Sequence, residues 1–430
     1  MQIIIHRGAR EIGGSCVELS TDKTRILLDF GIPLVSQNKE PFDPKILARK
    51  SIDELKGLTV LPDIKGLYKN ESKEIDAVLI SHSHPDHYGL LNYIHPEIPV
   101  YLSQGAKELI SISSVFTPTK VPDFKARIIN NESTFSIGDM KIAPFAVDHS
   151  AFDARAFLIE ADGKRIFYSG DFRGHGRKSV LFEKIVKKPP KNIDCLLMEG
   201  TSLGSKERGF KDELAVQKRI REILKEAGKI TFLFASSQNI DRIVSAYKAC
   251  RETNSIFIID VYTAYILERL RAVSKNIPQF DWEDIRVKFY IGQGGALASK
   301  ESIKILYRYK KSKIGFGEIN AGRQKMLMLA RDNSLFPRIL TKLKNFHGTK
   351  IIYSLWEGYL TDKFIDFCKD NKLVIEKVHS SGHAAPDDLK TFARALDPKA
   401  LIPIHTFYAD KYKDLFDKVK TLKDGEALTV

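Results

Sequence analysis

At 430 residues the chain is too long for one ordinary hydrophobic core, so at least two packed units are expected. Hydrophobic residues make up 43% and charged residues 28%, a balance that excludes disordered, collagen-like and membrane-spanning chains. The net charge of +14 directs attention to anionic partners. The four cysteines, Cys16, Cys195, Cys250 and Cys368, form no CxxC pair, which argues against a disulfide framework or a thiolate zinc site and fits a reducing cytoplasm. The opening MQIIIHRGAR is broken at once by His6 and Arg7, too early for a secretory signal, so no export is expected.

Through residue 205 short β-rich runs alternate with turns: Gln2–His6, Cys16–Leu19, Arg25–Asp29, Ala77–Ser81, Val100–Leu102, Lys141–Ala146, Ala156–Glu160, Arg165–Ser169 and Asp194–Glu199. Many end in Asp, Ser or His, which puts polar groups at strand ends, where sites are commonly built. From Phe210 to Ala227 the pattern turns helical. Strand and helix then alternate through ITFLFA (230–235), IDRIVSAYKAC (240–250), SIFIID (255–260) and AYILERLRAV (264–273), predicting βαβ units with their own sheet. Beyond residue 372 the first style returns, with LVIEKV (373–378) and ALIPIH (400–405) as strands around a helix from Pro386 to Leu396, whose first turn holds Asp387 and Asp388. The middle unit therefore reads as an insertion: 1–205 and 373–430 form one domain, and 206–372 a second domain inside it. Charge follows the same division. Residues 206–372 hold 32 Lys and Arg against 19 Asp and Glu, a net of +13, whereas the rest of the chain nets +1. A basic insertion between near-neutral flanks suits a polyanion held by one unit beside chemistry done by the other, or else a solubilising surface.

The sharpest local signal is HSHPDH, directly after the apolar strand AVLIS. His82 and His84 lie on one face of an extended segment, and Asp86 and His87 follow on the turn into a helix. Four ligand atoms can therefore converge on two adjacent points. Imidazole and carboxylate are the donors zinc and manganese take. Three histidines and an aspartate within six positions seldom arise for packing alone.

This hexapeptide resembles the His-x-His-x-Asp-His signature of the metallo-β-lactamase superfamily, which implies an αββα sandwich. The superfamily's other motif positions are filled one by one: Asp29 in ILLDFG as a supporting aspartate, His149 in AVDHSA, Asp171 in IFYSGDFR and His405 in LIPIHTF. The resemblance implies that His82, His84 and His149 hold one ion and Asp86, His87 and His405 a second, with Asp171 shared. Two zinc ions, or manganese in their place, would share a water, lower its pKa and present hydroxide for hydrolysis. Redox members with a di-iron site carry an appended flavin domain, of which there is no sign.

The insertion and the tail resemble the β-CASP group of nucleic-acid hydrolases, and within it the ribonuclease J family. The resemblance runs along the chain through GAREIGGS, LPDIKGLY (61–68), FASSQNIDRI (234–243), SSGHAAPDDL and PIHTF. It implies an inserted α/β β-CASP domain. It also makes Glu199 in LLMEGT, His383 in SSGHA and His405 the three motif residues specific to the group, with Asp86, Glu199 and His383 as catalytic candidates. An acid set against His383 raises the imidazole's pKa and lets it donate to a departing oxygen. Ser380, Ser381, Gly382 and Ala384 are small enough for backbone N–H groups to approach phosphate, or form a plain tight turn. Ser236, Ser237, Asn239 and Arg242 stand between a strand and a helix, where phosphate binding and helix capping are equally served. Trp356 and Tyr359, in IIYSLWEGYL, suit either base stacking or core packing. His6, His95, His175, His347 and His379 match no ligand position.

The activity implied is metal-dependent hydrolysis of RNA phosphodiesters, exo- or endonucleolytic, on single-stranded RNA, by a cytoplasmic monomer or homodimer with no membrane association. The histidine at position 405 favours RNA over DNA by family analogy. Ribonuclease J usually carries a further C-terminal domain used in oligomer contacts, whereas this chain stops about 25 residues after His405. The competing readings are a small-molecule metallo-hydrolase acting on a thioester, lactone or phosphodiester, a DNA-directed β-CASP nuclease, and an RNA-binding subunit whose metals are only structural. The basic insertion disfavours the first, and the complete ligand set with Glu199 and His383 disfavours the last.

Overall fold

The structure is a computed structural model that describes every residue except 36–39, 117–122, 131–132, 205–208, 229 and 323–324. Strands β1 (Gln2–Arg7), β2 (Cys16–Ser20), β3 (Arg25–Leu28), β4 (Ala77–Leu79), β5 (Pro99–Leu102) and β6 (Lys125–Ile128) build a first sheet, antiparallel from β1 to β3 and parallel from β3 to β6. Strands β7 (Phe135–Ile137), β8 (Met140–Ala146), β9 (Arg155–Ala161), β10 (Lys164–Tyr168) and β11 (Cys195–Glu199) build a second. The alternation of side chains along each strand explains why the two sheets stack. Ile26 and Leu28 of β3 turn inward to meet Phe157, Ile159, Ile166 and Leu197 of the other sheet. Leu27 turns outward against Leu55 and Ile110 of covering helices. On the far side Phe167, Leu196 and Met198 pack against Leu389, Phe392 and Leu396. Helices thus cover both outer faces, which is the expected αββα sandwich.

The next strands, β12 (Ile230–Phe234), β13 (Ile256–Asp260), β14 (Ile285–Lys288), β15 (Met326–Ala330), β16 (Lys350–Tyr353) and β17 (Val374–Lys377), form a separate sheet, parallel throughout, in the order β14-β13-β15-β12-β16-β17. Its near-continuous apolar runs reflect burial on both faces. Leu233, Ile259 and Leu329 face helices Glu213–Glu226, Ile240–Arg251 and Val261–Leu270. Phe232, Phe234 and Met328 face helices Leu335–Leu340 and Asp362–Asp370. The chain then returns: β18 (Ala400–Ile404) pairs with β11 in the second sheet, and β19 (Ala427–Thr429) pairs with β1 in the first.

One reading of the sequence needs correcting. The strand at 373–378 belongs to the inserted sheet, where it pairs with β16 as the edge strand, so the chain leaves the insertion after Lys377 and not at 372. This edge strand is exposed at Val374 and Lys377 and half-buried between them, so it carries no alternation that says which sheet it joins. The boundary expected at 205/206 falls within 205–208, outside the described residues. Among the described residues no helix is long and apolar enough to cross a membrane, and all four cysteines are buried and unpaired.

Candidate metal centre

The site forms where β4, β8, β10, β11 and β18 end. After β4 the chain leaves the sheet, bends at Ser83 and reaches His84 in extended backbone. Pro85 then opens the single helical turn Pro85–Tyr88, which carries Asp86 and His87. This turn is gripped from behind: Phe30 N donates to His87 O at 2.7 Å, Ile32 N to Pro85 O at 3.1 Å and Ser15 N to Asp86 O at 3.1 Å. Gly31 sits so close that a Cβ there would stand 1.6 Å from Asp86 O and 2.6 Å from His87 N. Gly31→Ala is therefore expected to displace the turn, destabilise the protein by about 1–3 kcal/mol and weaken metal binding, checked by thermal melting with and without zinc.

The seven expected ligands converge. His84 Nδ1 lies 3.3 Å from His149 Nε2, His87 Nε2 lies 3.2 Å from Asp171 Oδ2, and His405 Nε2 lies 3.2 Å from Asp86 Oδ2. His82 Nε2 and His405 Nδ1 are each 3.7 Å from an Asp171 oxygen. Three overlapping groups, His82–His84–His149, His82–His87–Asp171 and Asp86–His87–His405, each bring their donor atoms within 4.8 Å of one another. Nε2 of His82 and of His87 and both oxygens of Asp171 are buried without a hydrogen-bond partner. Such atoms are costly unless something else satisfies them. Burial pushes His82 and His149 well below the usual imidazole range and His84 down to about 4, so all three stay neutral and free to bind a cation. For Asp171 burial opposes ionisation, but His405, His87 and His383 outweigh it and hold the carboxyl well below its ordinary value. The donor set therefore fits divalent cations of the zinc or manganese type.

The outer nitrogens are anchored, which aims the inner ones. His87 Nδ1 lies 2.8 Å from Asp29 Oδ2, and His82 Nδ1 lies 3.0 Å from Ser81 Oγ, which itself donates to Asp29 at 2.7 Å. Tyr168 donates to the same carboxylate at 2.6 Å. His149 Nδ1 donates to Gly382 O at 2.6 Å, and Thr201 Oγ1 lies 2.9 Å from His405 Nδ1. Asp29 thus supports the site without entering it, held with His405 in the left-handed region at φ 61° and 51°. Backbone strain of this kind persists where the surroundings over-determine it. Asp29→Ala is expected to weaken metal binding by about 10–100-fold, measured by competition with a chromogenic chelator.

Beside this group Glu199, wholly buried, accepts from Phe172 N at 3.1 Å and Thr201 N at 3.2 Å and lies 3.2 Å from His383 Nδ1. Burial alone would lower the His383 pKa, but Glu199 and Asp171 outweigh it and push it up to about 9. His383 keeps 23% of its side chain exposed and so is open to an incoming group.

The candidate substrate contacts divide. Ser236 is exposed, and Asn239, Ser381 and Gly382 are half-buried. Asn239 caps helix Ile240–Arg251 by accepting from Arg242 N. Ser237, Ser380, Ala384 and Arg242 are buried, so as they stand here they offer substrate no open surface. Ser237 pairs with Thr263 at 2.6 Å and Ser380 donates to Glu213 at 2.9 Å. Arg242, read as facing phosphate, instead turns inward: it donates to Glu213 at 2.7 and 3.2 Å and to Ser354, reaching the SSGHA loop at Ser380. The reason is electrostatic: Glu213, buried in the neighbouring helix, needs the counter-charge. Sequence reasoning also missed Arg173, whose guanidinium is fully buried and contacts Asp148 at 3.4 Å, Asp241 at 2.7 Å and Ser381 O at 2.9 Å. Its position two residues beyond Asp171 was the available signal. Of the unassigned histidines, His6 lies 2.9 Å from Glu18, His175 lies 3.1 Å from Asp388, and His379 lies 3.4 Å from Arg242.

Fold and site together define a β-CASP protein of the metallo-β-lactamase superfamily. Residues 61–258 match the beta-lactamase superfamily domain, and residues 371–422 match the Zn-dependent metallo-hydrolase RNA specificity domain. Along nearly its whole length the chain is similar to ribonuclease J: it is 25% identical to that of Mycoplasma genitalium over 419 residues, covering 93% of this chain and 66% of the relative. To ribonuclease J of Helicobacter pylori strain 26695 it is 23% identical over 415 residues, covering 93% and 55%. The chain thus spans between about half and two thirds of these relatives' lengths. A crystallised Enterococcus faecalis V583 protein of unknown function shares the fold with a TM-score of 0.80, at 22% identity over 100% of this chain and 99% of that one.

Proposed function

We propose that the chain is a metal-dependent ribonuclease that hydrolyses phosphodiester bonds of single-stranded RNA at a centre of two divalent cations, zinc foremost and manganese as the alternative. The observation that carries this reading is the meeting of seven buried or half-buried metal-type donors with a buried Glu199–His383 pair, in a chain matching an RNA specificity domain. His82, His84 and His149 would hold one cation and Asp86, His87 and His405 the other, with Asp171 between them. Bound there, the cations supply Lewis acidity towards phosphate and an activated water.

The protein's own groups supply the rest. Glu199 fixes the ring of His383, which donates to the departing oxygen as the phosphodiester breaks. Asp86 stays ionised beside His87 and His405. The His149–Gly382 bond ties the SSGHA loop to the ligands, so the donor on that loop keeps its place relative to the cations. The insertion, with its net +13, attracts the strand without reading its sequence. The reducing cytoplasm is the proposed location, and monomer and homodimer are both compatible with the reading.

One digest tests this proposal. Zinc- or manganese-loaded protein is given 5′-phosphorylated, 5′-hydroxyl and circular RNA beside matched DNA, with Asp86→Ala and chelated protein alongside. Cleavage of RNA that is lost in both controls supports the reading, and the circular arm separates endo- from exonucleolytic cutting. Intact RNA with wild type and Asp86→Ala alike overturns it. DNA cleavage alone, or RNA retained but uncut, turns it into one of the competing readings.

A further inference from the structure

Two aromatic side chains stand where an unused apolar surface is costly. Trp356 and Tyr359, 54% and 63% exposed, lie on the segment that leaves β16 at its C-terminal end. Their rings meet edge to face, with centroids 5.2 Å apart at 88°. Neither ring is loosely hung. Tyr359 N donates to Trp356 O at 3.1 Å and Leu360 N to Glu357 O at 2.9 Å, which closes a one-turn 3₁₀ helix, Glu357–Tyr359. The indole lies so close to Gly358 that a Cβ there would stand 2.3 Å from its six-membered ring, so a larger residue would have to displace the ring from its place over the turn. Glu357 is ion-paired to Lys377 of β17, pinning the turn to the sheet edge. Exposed yet fixed rings present contact area at little entropic cost.

The place of this turn matters as much as its rigidity. Two residues before Trp356, Ser354 is bonded to Arg242, whose guanidinium also reaches Ser380 at the start of the SSGHA loop. On its other side the turn meets the same loop: Glu357 and Lys377 line a small pocket together with His379, the residue directly before Ser380. The pair therefore sits on the basic insertion, on a turn tied to the SSGHA loop that carries His383. A positively charged unit with solvent-facing rings is what unpaired nucleic acid requires: charge for the backbone and π-faces for the bases.

We propose that Trp356, braced by Tyr359, is a stacking platform for an unpaired nucleobase of the RNA strand leading to the metal centre. The proposal rests on the ribonuclease reading and adds how the substrate is held. Base stacking tolerates every base, so the platform selects single-stranded over paired RNA and not one sequence over another.

The test uses the full metal-loaded chain and a 5′-phosphorylated single-stranded RNA, with a matched RNA carrying abasic residues. Trp356→Ala is expected to raise KM by about 5- to 100-fold, the loss of one stacked base, with kcat within about threefold of wild type. Tyr359→Ala has a smaller effect in the same direction, Trp356→Phe restores most of the affinity, and Tyr307→Ala, an exposed aromatic elsewhere on the insertion, changes nothing. On abasic RNA wild type and Trp356→Ala become alike. Unchanged KM in Trp356→Ala, or equal handling of intact and abasic RNA by wild type, overturns the platform while leaving the ribonuclease reading in place. A second readout needs no cleavage. The chain has two tryptophans, so in Trp282→Phe the emission of Trp356 alone is followed during titration with each RNA. Quenching by intact but not abasic RNA supports the platform even if no RNA is cut, and absence of quenching overturns it.

Discussion

Asp171→Asn is expected to lower RNA hydrolysis by about three orders of magnitude or more and to leave the protein with at most one tightly bound metal ion. Asp171 stands between the two triads, 3.2 Å from His87 and 3.7 Å from both His82 and His405, with neither oxygen hydrogen-bonded. An amide of the same shape keeps the packing beyond β10 but replaces an anionic donor with a neutral one and turns an N–H group towards a cation. Fold and metal loading then come apart. The apo melting temperature should move little, the bound metal measured by atomic absorption should fall, and the rate should fall with it. Retention of two ions at full rate would show that Asp171 bridges nothing.

The second large effect concerns the joint between the domains. Glu213→Gln is expected to destabilise the protein by about 3–5 kcal/mol, because it strips the counter-charge from a buried guanidinium. Glu213, Arg242 and Arg173 are all fully buried, and Glu213 also accepts from Ser245 at 3.0 Å and Ser380 at 2.9 Å. Burial opposes the charge on Glu213, but Arg242, Arg173 and Ser380 outweigh it and hold the carboxyl well below the usual range. A carboxyl depressed on folding adds stability that is present above its unfolded pKa of about 4.3 and is lost as pH falls towards the folded value. Urea midpoints of wild type and variant should therefore differ by a constant amount from neutral pH down to about pH 5 and draw together below it. A gap that stays constant to strongly acid pH would mean that the Glu213→Gln substitution disturbs packing and not charge.

The metal centre was legible in the sequence because its donors are punctuated by strands. HSHPDH is contiguous, and the resemblance to the superfamily's motifs placed Asp29, His149, Asp171, Glu199 and His405, each of which lies at or just beyond the end of a strand. Arg242 was not legible. A basic residue between strand and helix reads the same whether it faces phosphate or a buried acid, and its acid, Glu213, lies 29 residues away on another helix. Strand β6, KARI, escaped notice because an exposed edge strand carries charge where a central one carries valine. For Trp356 and Tyr359 composition allowed both core and surface. The structure leaves both rings outside, with the indole lying over Gly358.

Seven side chains from both ends of the chain meet where the proposed pair of cations would sit. Anomalous scattering from zinc-loaded crystals tests it most directly. Two peaks are predicted, on either side of the Asp171 carboxylate, one within bonding distance of His82, His84 and His149 and the other of Asp86, His87 and His405. A single peak, or peaks away from Asp171, would contradict it.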